Sequence, residues 1–100
     1  MKLRTSKGDR IVDHMYVEGD NVILRESKNV RNFDLAGDTQ SAQRLRTQID
    51  KDLELVDLYD GAIVEWRIDG QVNPETRSIL QQLVDENSGR FRVNPSSLLD

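Results

Sequence analysis

The hydrophobic period of this chain first changes at Ala36-Gly37-Asp38, and that change decides how its 100 residues can be layered. Ahead of it lie short apolar, β-branched stretches separated by polar turns. Ile11–Val17 reads as a strand, Glu18-Gly19-Asp20-Asn21 as a turn, and Val22–Arg25 as a second strand. Lys28-Asn29 offers another turn before Val30–Leu35, so the first third reads as an antiparallel meander. Beyond it, Ala42, Leu45, Ile49, Leu53 and Val56 recur at spacings of three and four, which is one face of a helix. Asp38 or Thr39 suits its N-cap. Asp57 and Asp60 oppose the negative end of the helix dipole, so either the helix stops before them or another group compensates. Asp60-Gly61 then reads as a turn or a left-handed cap.

The period changes back at Ala62–Asp69, where Ala62, Val64, Trp66 and Ile68 fall on one face. Ile63, Glu65, Arg67 and Asp69 fall on the other. Asn73-Pro74-Glu75 is a strong helix start: an N-cap, a proline at the first helical position and an acid at the positive end. Ile79, Leu80, Leu83 and Val84 supply its apolar stripe, and Asn87-Ser88-Gly89 its stop. Phe91 and Val93 alternate with Arg90, Arg92 and Asn94 as a last strand. The expected fold is therefore α+β, a mixed, mainly antiparallel sheet with two helices in the order βββ(β)–α–β–α–β. A right-handed parallel crossover would join Ala62–Asp69 to the last strand. Residues 1–95 are expected to form a single domain and 96–100 a loose tail. Trp66 is expected in the core with Val64, Ile68, Leu45 and Ile49.

Composition bounds the chemistry more tightly than any motif does. There is no cysteine and one histidine, His14. A thiol nucleophile, a disulfide, a thiolate metal site and a multi-imidazole zinc site are all excluded, and a His-based triad would have to be built on His14. The six glycines form no G-x-G, phosphate loop or G-x-S-x-G elbow. EF-hand registers through Asp60-Gly61 and Asp69-Gly70 place Val, Leu or Arg where carboxylates belong. No apolar run is long enough for a bilayer and no signal pattern opens the chain, so a soluble cytoplasmic protein is expected, without a membrane.

Net charge is −4, and the acids gather at Asp50, Asp52, Glu54, Asp57 and Asp60. Asp50, Glu54 and Asp57 share a helical face, which reads as a solvated face or as an acidic patch for a basic partner. Arg67, Arg90 and Arg92 project from the polar side of two strands and suit carboxylate or phosphate. Trp66 and Phe91 alternate to the opposite side, so this face lacks aromatic platforms for bases. Ion pairing with Glu65 and Asp69 is its plainer use.

The leading expectation is a non-enzymatic small binding module: an adaptor, inhibitor or accessory subunit acting by protein–protein contact. Its contact surfaces would be the acidic helix face and the arginine strand face, and its partner another protein or a second copy of itself. A nucleic-acid-binding accessory protein using the arginine face is the alternative, with overall acidity against it. A third reading is a hydrolytic or acid–base enzyme built on His14, Tyr16 and carboxylates brought from elsewhere in the fold. No catalytic residue, metal ligand or cofactor is assigned.

Overall fold

A computed structural model describes residues 2–6, 8–11, 13–87, 89–95 and 99. Its elements are β1 (Lys2–Thr5), β2 (Gly8–Ile11), β3 (His14–Glu18), β4 (Asn21–Phe33), α1 (Gln40–Leu58), β5 (Ala62–Val72), α2 (Pro74–Glu86) and β6 (Phe91–Asn94). β1 and β2 form an antiparallel hairpin of their own, and the other strands form one sheet in the order β3-β4-β5-β6. The turn at Gly19-Asp20, with Gly19 at φ 63°, folds β3 back on β4 with Tyr16 opposite Ile23. α1 and α2 then return the chain for two parallel pairings, which set Glu26 beside Trp66 and Trp66 beside Val93. The fold is α+β with a mixed sheet, in the expected order.

Residues 28 and 29 do not turn the chain. β4 runs through them because β5 supplies a parallel partner along nearly its whole length, and the Asn-rich stretch is absorbed as a register shift between Asn29 and Asn32. The β1–β2 hairpin was not expected from the apolar pattern. The proposed tail falls mostly outside the described residues, although Leu99 packs against the core.

Right-handed crossovers to successive neighbours put both helices on one face of a sheet. Accordingly α1 and α2 share a groove lined by Leu35, Arg46, Ile49, Ile79 and Leu83. The sheet gives this face Leu24, Val64, Trp66, Ile68, Phe91 and Val93, all in the main core. Trp66 is fully buried and packs edge-on against Phe33, ring centroids 5.9 Å apart. The opposite face carries Tyr16, Arg25, Glu65, Arg67 and Arg92 around buried Ile23 and Ile63.

The helix ends are satisfied by side chains. Thr39 accepts from the Ala42 amide at 3.1 Å and Asn73 from the Thr76 amide at 2.7 Å. The C-terminus of α1 answers the question raised by Asp57, because the Arg90 guanidinium donates to the Val56 and Tyr59 carbonyls. A cation therefore sits on the negative end of the dipole. Between β4 and α1, Asp34 accepts from the Ala36 and Gly37 amides and from Asn73 and Thr76. The Ala36 amide above all, then Asn73, holds the Asp34 carboxyl below its ordinary range.

The burial of Trp66 makes it intolerant of truncation. Trp66→Ala should cost about 3–5 kcal/mol in urea denaturation. The native emission should be blue-shifted and move red on unfolding. Solvent-like native emission, or an unchanged midpoint in the variant, would contradict this core.

Candidate functional site

The side of Trp66 that faces α1 and the hairpin is polar. Its indole Nε1 donates to Asp52 Oδ2 at 2.8 Å, and Asp52 is only 1% exposed. Arg10 comes from β2 and donates through Nε to Asp52 Oδ1 at 2.8 Å and through Nη2 to Oδ2 at 3.4 Å. The same Nη2 lies 3.2 Å from Glu26 Oε2, while Lys28 Nζ lies 3.0 Å from Glu26 Oε1. Both cations also approach the indole, with the guanidinium carbon 6.0 Å and the ammonium 5.7 Å from its ring centroid. Two carboxylates and two cations thus surround one indole, brought together by β2, β4 and α1. The hairpin is pinned beside them, since Glu54 accepts from the Ser6 amide and Lys51 donates to the Asp9 carbonyl.

Charge in this position is expensive. Burying ions costs several kcal/mol each, recovered only with good pairing, and an apolar replacement is often as stable. Burial pushes the Asp52 carboxyl up, against the opposing pull of Arg10 and the Trp66 indole. Desolvated charge of this kind is commoner at functional sites than in ordinary cores.

The network is also incomplete. Among the described residues, two buried side-chain atoms have no hydrogen-bond partner, Glu26 Oε2 and Gln48 Oε1. The Arg10 contact to Glu26 is electrostatic and lacks hydrogen-bond geometry. Gln48 precedes Asp52 by one turn on the same face of α1, about 6 Å along the helix axis. Lys28 follows Glu26 by two residues, about 6.6 Å along the strand. Because α1 runs antiparallel to β4 and Asp52 is level with the Glu26–Trp66 pair, Gln48 comes level with Lys28. From the sheet edge, Asp13 Oδ2 accepts from the Ser27 amide at 3.1 Å, between Glu26 and Lys28 in sequence. Glu26 and Lys28 thus share the helix-facing side of mid-β4, Asp13 lies at the strand's edge, and Gln48 lies one turn from Asp52 on α1. Exposed Asp13 and Lys28, whose side chain is 20% exposed, mark the solvent side of this stretch.

The residues singled out from sequence lie elsewhere. Asp50 and Asp57 are exposed on α1, but Glu54 is engaged by the hairpin, so the three do not present one free acidic face. Arg67 and Arg92 share the sheet face that no helix covers, with Arg25. Arg90 leaves them to cap α1. Each arginine on that face meets an acid: Arg25 pairs with Glu65, Arg92 with Glu18 at 3.7 Å, and Arg67 with Asp69 at 4.0 Å. His14 stands exposed on β3.

Sequence reasoning missed Asp52, Glu26 and Arg10, although two of them leave a trace. Asp52 lies three residues after Ile49 and four before Val56, inside the apolar stripe of α1. Glu26 lies two residues after Leu24, on the apolar side of its strand. An acid at an apolar position is the legible signal.

A second feature is apolar. A cleft of about 250 Å³ is lined by Leu3, Met15, Val22, Leu24, Tyr59 and Ala62, with Asp60 at its rim. Met15, Val17, Leu58 and Tyr59 are the exposed large hydrophobic residues.

Among the described residues no group of three or more His, Cys, Asp or Glu is placed to hold a metal ion, and no helix is long and apolar enough to cross a membrane. No family model, curated protein or solved structure matches the chain.

Arg10 is the shared partner of both buried carboxylates, so Arg10→Met should destabilise the domain by about 3–5 kcal/mol. Arg10→Met combined with Asp52→Asn should cost less than the two single changes summed, since the second relieves the stranded charge. Strict additivity in urea denaturation would show that the pair is not coupled.

Proposed function

We propose that this chain is a metal-assisted hydrolase of phosphate esters, with Asp13, Glu26, Gln48 and Lys28 as its working residues. The observation that carries the reading is the pair of buried oxygens that accept no hydrogen bond, Gln48 Oε1 and Glu26 Oε2, the latter in ion-pair contact with Arg10. Buried polar atoms without partners are rare, and an ion or water that completes them is a standing explanation. The donors are all oxygen, which suits a hard divalent cation such as magnesium or manganese and not zinc or copper. Two carboxylates suffice, because magnesium commonly binds through one or two carboxylates together with substrate phosphate and water.

Glu26 and Asp13 would hold the cation, with the Gln48 amide oxygen as the neutral third donor. The bound ion supplies Lewis acidity toward a phosphoryl oxygen and acidifies a water molecule. Lys28 is a partly exposed point charge beside Glu26, suited to neutralise the charge that builds on a phosphoryl group. Arg10 acts as a positioning residue: it holds the Glu26 and Asp52 carboxylates in register with the indole. His14 has no part in this scheme, which moves the hydrolytic reading from the histidine to the carboxylates.

The test is hydrolysis of bis(p-nitrophenyl) phosphate, plasmid DNA and RNA with magnesium or manganese, against a chelated control. Activity should require the metal. Lys28→Met and Glu26→Gln should each lower it by about 10²–10³-fold with the near-ultraviolet circular dichroism of Trp66 retained. Absence of metal-dependent hydrolysis on all three substrates, together with no calorimetric metal binding, would overturn the proposal.

A second reading, contact with another protein as an adaptor, inhibitor or accessory subunit, is favoured by the apolar cleft and exposed Met15, Val17, Leu58 and Tyr59. Nucleic-acid binding by Arg67 and Arg92 has less support, because every arginine on that face is paired with an acid.

A further inference from the structure

We infer that β3 is a self-association edge, and that two copies of this chain pair β3 with β3 antiparallel about Tyr16. The inference stands apart from hydrolysis and gives the protein-contact reading one occupant, a second copy.

β3 ends the sheet order, so among the described residues one of its sides has no strand partner. Which residues turn their backbone groups outward follows from two bonds. The Val22 amide donates to Gly61, toward β5, and the Ser27 amide donates to Asp13, toward β3. Odd-numbered residues of this part of β4 therefore face β3, and even-numbered ones face β5. Tyr16, opposite Ile23, bonds inward, whereas Val17, opposite Val22, and Met15, opposite Leu24, present N–H and C=O to the outside.

Antiparallel pairing about a two-fold axis sets each residue opposite one whose number completes a constant sum. Centred on Tyr16, that register places Met15 opposite Val17 of the second copy, and Val17 opposite its Met15. These are the positions with outward backbone groups, so all four bonds form. Side chains match as well. Met15 and Val17, both exposed, cover each other and extend the apolar cleft of Leu3, Val22 and Tyr59. On the other face His14 meets Glu18 of the second copy, a donor against a carboxylate. Self-complementarity in apolar, aromatic and polar positions is what an isologous contact needs.

The opposite edge of the sheet is defended. β6 is four residues long, carries Arg92 and runs into Pro95. β3 carries no lysine or proline, the residues that usually blunt an edge.

The test is light scattering and sedimentation of the full chain from micromolar to several hundred micromolar. Reversible dimerisation is expected. Val17→Pro removes only an outward N–H, which an edge strand tolerates, and should weaken the dimer at least tenfold while leaving the melting midpoint of dilute protein unchanged. Register is read by disulfides, since the chain has no cysteine of its own. Tyr16→Cys sets the new thiols directly opposite and should cross-link rapidly, whereas Val17→Cys offsets them and should not. A strict monomer overturns the inference. So does a dimer that Val17→Pro leaves intact, or one in which Val17→Cys cross-links as fast as Tyr16→Cys.

Discussion

Asp52 accepts hydrogen bonds from two elements at once, the Trp66 indole of β5 and the Arg10 guanidinium of β2. The tertiary arrangement depends on this carboxylate. A small domain buries little apolar surface per residue, and here the largest side chain of the core keeps one edge polar. Asp52 satisfies that edge, and its own charge then requires Arg10. Arg10 belongs to a hairpin that forms no ladder with the main sheet. The hairpin is thus held over α1 by charge, by the Glu54 and Lys51 contacts beside it, and by Leu3 packing against the core. The order of dependence runs from Trp66 to Asp52 to Arg10, and from Arg10 to Glu26.

That order explains why the site is both rigid and unfinished. Arg10 and Lys28 share Glu26, and neither saturates Oε2. A purely structural network would gain by closing the gap or by replacing the ions with apolar side chains. Two buried oxygens that accept no hydrogen bond beside a partly exposed lysine are the feature on which the proposed function rests. On the proposed reading, the same cluster would serve stability through Asp52 and chemistry through Glu26, with Arg10 common to both.

Legibility in the sequence followed the range of the forces involved. α2 is announced locally by Asn73-Pro74, and the structure caps it there. The stripe from Ala42 to Val56 and the facing of Trp66 are periodic signals, and both survive folding. The β1–β2 hairpin carries little apolar pattern, because its place is set by Arg10, Ser6 and Lys51 contacts to or from α1. Lys28-Asn29 looks like a turn locally, yet pairing with β5 keeps it extended. Of the site, Asp52 and Glu26 are visible as acids in apolar positions. Gln48 and Asp13 are not, because a missing hydrogen bond and a bond to a distant amide are properties of the packed chain. Arg90 looks like a surface residue in sequence for the same reason: its carbonyl partners lie over thirty residues away.

The single tryptophan allows the central claim to be examined at one atom. In a ¹⁵N-labelled sample the indole gives one resonance, and its exchange with deuterated solvent reports whether Asp52, Arg10 and the hairpin stay in place. If the network organises the fold, the Trp66 Nε1–H should exchange only through global unfolding, with the denaturant dependence of the whole domain. Rapid exchange under native conditions, insensitive to denaturant, would mean that the hairpin opens freely and that Arg10–Asp52–Trp66 is not what holds the structure together.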